Sequence, residues 1–291
     1  MNSLSWQIGN VKVTSFVEIK AGDVIQQGFP ELDPAIVRAV HWLHPNFADA
    51  EGNLKAVVQS FVVESEGKRI LIDTCNGNDK QRTDLPQWGN LKTDFLTRFE
   101  NAGFPRDTID IVLSTHLHCD HVGWNTMLER GLWKPTFPNA RYLFVQDEYE
   151  YFSTLPSTEI DDDRSAFTDS VLPIVEAGLA DFVSPDHSLT NEVSLLSTPG
   201  HTPGHVSVCI RSEGYDAVIT GDVMHHPCQL AHPEWKVLWD SDKEAGKATR
   251  HRFFERYADT MTLIIGSHFS SPTAGYIVRD AGGYRFITTL S

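Results

Sequence analysis

Thr115-His116-Leu117-His118-Cys119-Asp120-His121 places three imidazoles and a carboxylate within six residues, directly after the apolar run of residues 109–114. A continuous apolar run of that length reads as a strand buried on both faces, so polar chemistry begins where the strand ends. Clustered imidazoles without an ion must stay neutral or repel one another when protonated, whereas neutral imidazole with carboxylate oxygen suits zinc and similar cations. In an extended stretch His116 and His118 share one side, and a turn into a following helix brings Asp120 and His121 round beside them. One short segment can therefore supply two adjacent ions.

Three later stretches repeat the pattern. Thr198-Pro199-Gly200-His201-Thr202-Pro203-Gly204-His205 sets a histidine in a tight Pro/Gly turn after a strand, Thr220-Gly221-Asp222 ends an apolar strand with a carboxylate, and Gly266-Ser267-His268 ends another with an imidazole. A lone Asp or His at a strand end is usually a structural hydrogen-bonding residue. Four such places of one kind point to a shared site.

Around these stretches, alternation over residues 11–17 and 56–63 and an apolar run over 69–73 predict an opening meander. Residues 91–102 read as a helix with Phe95, Leu96 and Phe99 on one face, stopped by Gly103 and Pro105. A further helix is expected over 120–130, a strand over 142–145 and a helix over 147–152. A second meander follows over 193–198, 206–210 and 217–220, so the chain reads as two similar halves. Residues 224–239, rich in His, Pro and Trp and without period, predict a long loop that shapes a pocket. Helix resumes over 242–257, and strands are expected over 261–265 and 284–288. A single domain over residues 1–291 is the expectation.

Hydrophobic residues make up 41% of the 291, enough for a substantial core. The formal charge of −15 repels phosphate backbones and anionic membrane surfaces, and no basic stripe offsets it. Nuclease chemistry is disfavoured on that ground. Bound divalent ions can reverse the sign locally. Cys75, Cys119, Cys209 and Cys228 form no C-x-x-C pair and read as free thiols. With no basic-then-apolar leader pattern in residues 1–11 and no apolar run near the ~20 residues a bilayer requires, a cytoplasmic protein is expected. Small neutral or weakly polar molecules are the expected partners, not nucleic acid or membrane, with a homodimer left open.

The order H-x-H-x-D-H, then T-P-G-H, then G-D, then a late His resembles the metallo-β-lactamase fold superfamily over most of the chain. The resemblance implies an α/β fold, a four-layer αββα sandwich of two similar halves. It implies two divalent metal ions, Zn2+ first, with Mn2+, Co2+ or Fe2+ as alternatives. His116, His118 and His201 would bind one ion, Asp120, His121 and His268 the other, and Asp222 would bridge them. A bridging Asp disfavours penicillin hydrolysis, since β-lactamases of the superfamily usually lack it. The stretch from Gly221 to Gln229, with His225 and His226, and the later Pro233 are similar to the methyl parathion hydrolase-like branch, close kin of the acyl-homoserine lactonases. Lactonases often carry Tyr three residues after the bridging Asp, where this chain has His225.

Two ions about 3.5–4 Å apart hold a shared hydroxide at neutral pH, because coordination lowers the pKa of water towards about 7. The expected reaction is attack of that hydroxide on a lactone or carboxylic ester, with an organophosphate triester as alternative. A glyoxalase II-like thioester is the other alternative, although those relatives append a basic helical domain and residues 261–291 read as strands. Asp120 would also shuttle a proton to the leaving group, and His225 would donate to the developing oxyanion or leaving oxygen. Asp73 is read as support for a ligand or as a strand cap, His205 as supporting or structural, and Cys119 as packing. Of Trp124, Trp235 and Trp239, the loop residue Trp235 leans towards substrate contact.

Overall fold

A computed structural model of the chain describes residues 3–155, 161–280 and 282–289. The chain divides into two compact units, the first from residues 1–7, 11–18 and 58–190 and the second from residues 8–10, 19–57 and 191–291.

The strands of the first unit are β1 (Ser5–Ile8), β2 (Val11–Lys20), β3 (Val57–Ser65), β4 (Lys68–Ile72), β5 (Ile111–Leu113), β6 (Thr126–Glu129), β7 (Leu132–Pro135), β8 (Arg141–Val145) and β9 (Ala180–Val183). Seven of them form a mixed sheet in the order β1-β2-β3-β4-β5-β8-β9, while β6 and β7 pair as a separate hairpin. The expected opening meander is thus present. β3 pairs antiparallel with β4, and β4, β5, β8 and β9 run parallel. Central β5 has Val112 and Leu113 fully buried, as its apolar sequence requires, and it releases the chain at Thr115-His116.

Two helical expectations change. The helix expected over 91–102 is Phe95–Asn101, because residues 91–93 are tied to the loop at 78–79 through the Asp79 amide on the Leu91 carbonyl and the Thr93 amide on Asn78. The helix expected over 120–130 is not formed. Cys119–Val122 makes one turn, Gly123–Asn125 a 3-10 turn, and β6 begins at Thr126. Backbone pairing elsewhere explains this: the Gly123 amide donates to the Cys75 carbonyl and the Trp124 amide to the Thr74 carbonyl, which takes both out of a helical ladder. Arg130 and Gly131 then adopt φ of 52° and 80°, the left-handed pair of a two-residue hairpin.

The loop after β4 is fastened by buried charge. Lys80 donates to Thr126 Oγ1 at 2.6 Å and lies 3.4 Å from Asp169, and Arg82 reaches the same carboxylate at 2.8 Å. Asp169 sits in the π-helical turn Phe167–Val171, which continues the helix Asp162–Ala166 that packs against Cys119–Val122. Burial pushes the Lys80 ammonium down to about 7 against the pull of Asp169.

The second unit holds β10 (Val193–Ser197), β11 (Val206–Ser212), β12 (Tyr215–Ile219), β13 (Leu263–Ile265), β14 (Ala274–Asp280) and β15 (Gly283–Ile287), hydrogen-bonded in that order. The first three form the expected antiparallel meander. β12 and β13 are parallel, and the crossover between them carries the helix Lys243–Tyr257, capped by Asp242 accepting from the Ala245 amide. The expected strand over 284–288 is β15; its partner β14 was not anticipated. The reading of residues 261–291 as strands extends past the described residues at 281 and 290–291. No helix among the described residues is long and apolar enough to cross a membrane.

A Cβ at Gly123 would stand 1.8 Å from the Asn76 carbonyl oxygen. Gly123→Ala should cost about 1–3 kcal/mol in denaturant unfolding, as overpacking does; an unchanged midpoint would contradict the packing described. Lys80 gives a second expectation. The unfolded chain keeps this proton up to the ordinary value of 10.5 while the folded chain releases it at about 7, so stability should climb with pH across that window. The climb should be smaller in Lys80→Met when unfolding is measured at both ends.

Candidate metal centre

In the first unit the donors gather at the end of β5. His116 Nε2 and His118 Nδ1 are 3.1 Å apart, and the rings of His116 and His121 lie 4.0 Å apart between centroids. His121 Nε2 is 3.7 Å from Asp120 Oδ1. Asp73, at φ 54°, closes β4 and organises them: it accepts from the Thr115 amide at 2.7 Å, the Thr115 hydroxyl at 2.9 Å and His121 Nδ1 at 2.9 Å. Since the Thr115 hydroxyl donates to Asp73, it accepts from His116 Nδ1 at 3.1 Å. Both rings thereby spend Nδ1 on an anchor and present Nε2 as a lone pair. Asp73 thus closes the strand and also fixes the His121 ring, a placement compatible with both of its readings.

Two further carboxylates serve this group without any signal in the sequence spacing. Glu148, buried in the helix Gln146–Ser153, accepts from the Leu117 amide at 3.0 Å and holds the backbone between His116 and His118. Asp163 Oδ2 stands 3.7 Å from His118 Nε2, and burial raises its carboxyl despite the opposing pull of that histidine. The Cys119 thiol is pushed well above its ordinary value by burial and by Asp120, so it stays protonated and packs, as its alternation suggested.

In the second unit Asp222 is the centre. Its carboxylate lies 3.1 Å from His268 Nε2, 3.2 Å from His225 Nε2 and 3.5 Å from His201 Nε2. His268 Nδ1 donates to the Val57 carbonyl at 2.9 Å, and His201 Nδ1 pairs with Asp240 at 2.9 Å. His205 is not aimed at this carboxylate: its Nε2 accepts from the Asp222 amide at 2.7 Å, so its Nδ1 carries the proton towards Thr198. Gly221, at φ 55°, permits that contact, since a Cβ there would meet His205 Nε2 at 2.6 Å. This placement agrees with the expectation of a supporting or structural position for His205.

Whether such residues suit an ion can be judged from His225. It is 1% exposed, and neither ring nitrogen has a hydrogen-bond partner among the described residues. A buried imidazole without hydrogen bonds is costly unless a group entering the site, an ion beside it or a bound oxygen, engages its nitrogens. The ligand atoms of His201, Asp222 and His225 lie within 4.8 Å of one another. Imidazole nitrogens with hard carboxylate oxygens form a zinc-type donor set, and the residues fit.

His116, His118, Asp120 and His121 therefore gather in one unit, and His201, Asp222 and His268 in the other, with His225 beside them. Asp240 escaped sequence reasoning because an acid in an aperiodic loop carries no mark. His226 is structural: it contacts the Phe47 carbonyl at 2.8 Å, and burial pushes it down to about 4, so it is neutral. Trp124 is core, donating to Glu18 at 2.7 Å and stacking on Phe95. Trp235 is buried against His232 and Phe29, whereas half-buried Trp239 stands 6.0 Å from the His225 ring.

The Metallo-beta-lactamase superfamily family matches residues 55–260. The chain belongs to this superfamily. N-acyl homoserine lactonase AiiA of Bacillus thuringiensis subsp. kurstaki is 26% identical over 178 residues, 57% of this chain and 63% of that protein. AttM, an N-acyl homoserine lactonase of Rhizobium radiobacter, is 26% identical over 170 residues, 53% of this chain and 59% of that protein. The chain thus spans about three fifths of the length of the curated relatives it matches. Among solved structures, the dizinc quorum-quenching lactonase AidC superposes with a TM-score of 0.81 at 20% identity, covering 100% of this chain and 98% of that one. The hydrolase AbOPH of the beta lactamase superfamily superposes at 0.80 with 22% identity, covering 99% and 98%. The fold is the metallo-β-lactamase fold, α/β with two mixed sheets, and the chain is a distant relative of the lactonases.

Metal removal tests the fit directly. Ligands that bind only the folded state stabilise it, by about 2.7 kcal/mol at a hundredfold excess over Kd. Protein stripped with a chelator should melt below protein given two equivalents of Zn2+, with the difference recovered on readdition. Superimposable melting curves would count against a metal centre.

Proposed function

We propose that this chain is a metal-dependent hydrolase of lactones or similar carboxylic esters, with His116, His118, Asp120, His121, His201, Asp222 and His268 holding two divalent ions. The observation that carries the reading is Asp222, a buried carboxylate within 3.5 Å of three imidazole Nε2 atoms. Supporting it are the superfamily membership and the two N-acyl homoserine lactonases and the dizinc lactonase among the relatives.

Two bound ions would supply a water ionised at neutral pH and a Lewis acid for the carbonyl. The protein's own residues do the rest. Asp73, Thr115 and Glu148 orient the histidines of the first set; in the second, Asp240 holds His201, the Val57 carbonyl holds His268, and His205 holds the Asp222 backbone. Asp120 also passes a proton towards the leaving alkoxide. His225 donates to the oxygen on which charge develops, and Trp239 beside it offers an apolar face to an acyl or aryl group. A neutral substrate suits this surface, since an anion would approach a chain of charge −15.

The test is a panel of lactones, carboxylic esters and aryl phosphotriesters, assayed with protein loaded with Zn2+, Mn2+ or Co2+. Hydrolysis of lactones, abolished by chelation and restored by metal, is the expected result. Turnover of phosphotriesters alone would move the substrate class, and inertness of the loaded protein towards the whole panel would sink the reading. His225→Ala should lower kcat by about 10²-fold, as loss of one oxyanion donor does; an unaltered kcat removes His225 from the mechanism.

A further inference from the structure

The turn that carries His201 is built into the start of the helix Lys243–Tyr257. The Ser241 amide donates to the His201 carbonyl at 2.8 Å, the Asp242 amide to the Gly200 carbonyl at 3.1 Å, and the Thr249 hydroxyl to the Pro199 carbonyl at 2.6 Å. Gly200 and Gly246 meet so closely that a Cβ on Gly200 would lie 2.3 Å from the Gly246 nitrogen. The same approach brings Asp240 to His201, its Oδ1 2.9 Å from Nδ1. Arg250, two turns along the helix, lies with a guanidinium nitrogen 3.7 Å from Asp240 Oδ2.

Arg250 is 1% exposed and has little freedom to leave. One guanidinium nitrogen donates to the Trp235 carbonyl at 2.9 Å, and the other reaches the Val223 carbonyl at 3.5 Å. Gly246 makes room on the other side, since a Cβ there would meet Asp240 Oδ2 at 2.5 Å. A longer acid has no space, and a neutral residue would strand a buried guanidinium.

From this geometry we propose that Asp240, backed by Arg250, is the positioning residue for His201. Resting on the reading of a two-ion centre, the inference assigns Asp240 no contact with substrate. Its carboxylate takes the Nδ1 proton of His201 as a hydrogen bond, which fixes the tautomer, turns Nε2 towards Asp222 and makes the ring a better donor to metal. Arg250 fixes the buried carboxylate and balances its charge. The pair is to His201 what Asp73 is to His121, with a cation added.

Full-length protein is stripped, reloaded with Zn2+ or Co2+, and its metal content and affinity measured by elemental analysis and chelator competition. Wild type should retain two equivalents. Asp240→Asn should retain one tightly, bind the second about 10–100-fold more weakly, the usual cost of losing such a partner, and show an altered Co2+ visible spectrum. Because Asp240→Asn alone leaves Arg250 unpaired, the double variant Asp240→Asn/Arg250→Met is measured beside it; it should fold and keep the same metal defect. Two equivalents of wild-type affinity and an unchanged Co2+ spectrum in the folded double variant would overturn the proposal alone. Fewer than two equivalents in wild type would overturn the two-ion reading and this inference with it.

Discussion

A histidine ring presents a chosen nitrogen only if its other nitrogen is held, and the candidate centre depends on that constraint throughout. Unanchored imidazole exchanges its proton between two positions and rotates about two bonds. Here the anchors differ in kind: a threonine hydroxyl for His116, the Asp73 carboxylate for His121, a main-chain carbonyl for His268 and a carboxylate for His201. The outcome is the same for all four, with Nδ1 occupied and Nε2 turned inward. His118 is the exception, facing His116 through Nδ1 while its Nε2 looks towards Asp163.

Holding rings in this way requires the main chain to turn sharply where strands end. Asp73, Gly200 and Gly221 all have positive φ, and each lies within a residue or two of a donor or its anchor. For Asp73 the left-handed conformation carries a cost of about 1–3 kcal/mol that glycine would not incur. Its three hydrogen bonds, two to Thr115 and one to His121, offset that cost. Gly221 cannot be replaced in the same manner, because the His205 ring fills the space where a Cβ would stand.

Charge is distributed with equal care. Lys80 and Arg82 are buried against Asp169, and Arg250 against Asp240, so the buried cations serve scaffold carboxylates instead of the ligand set. The donors themselves are imidazoles and acids, a set whose chemistry suits an external cation. Aromatic rings close the second set from one side, with Phe29 6.4 Å and Trp239 6.0 Å from His225.

How much of this was legible depends on how far apart in the chain the interacting groups lie. An apolar run followed at once by His or Asp is a local pattern, so the strand-end donors, both meanders and the helix over 242–257 could be read from residues alone. The failed helix over 120–130 could not, because the amides that leave its ladder are bonded to Thr74 and Cys75, and the close approach that requires glycine at 123 comes from Asn76. Asp240, Glu148 and Asp163 were equally silent, each an ordinary acid until folding sets it beside a histidine or its backbone. Ligand type is a property of single residues and is written in the sequence. Ligand orientation is a property of contacts between residues far apart, and only the folded chain decides those.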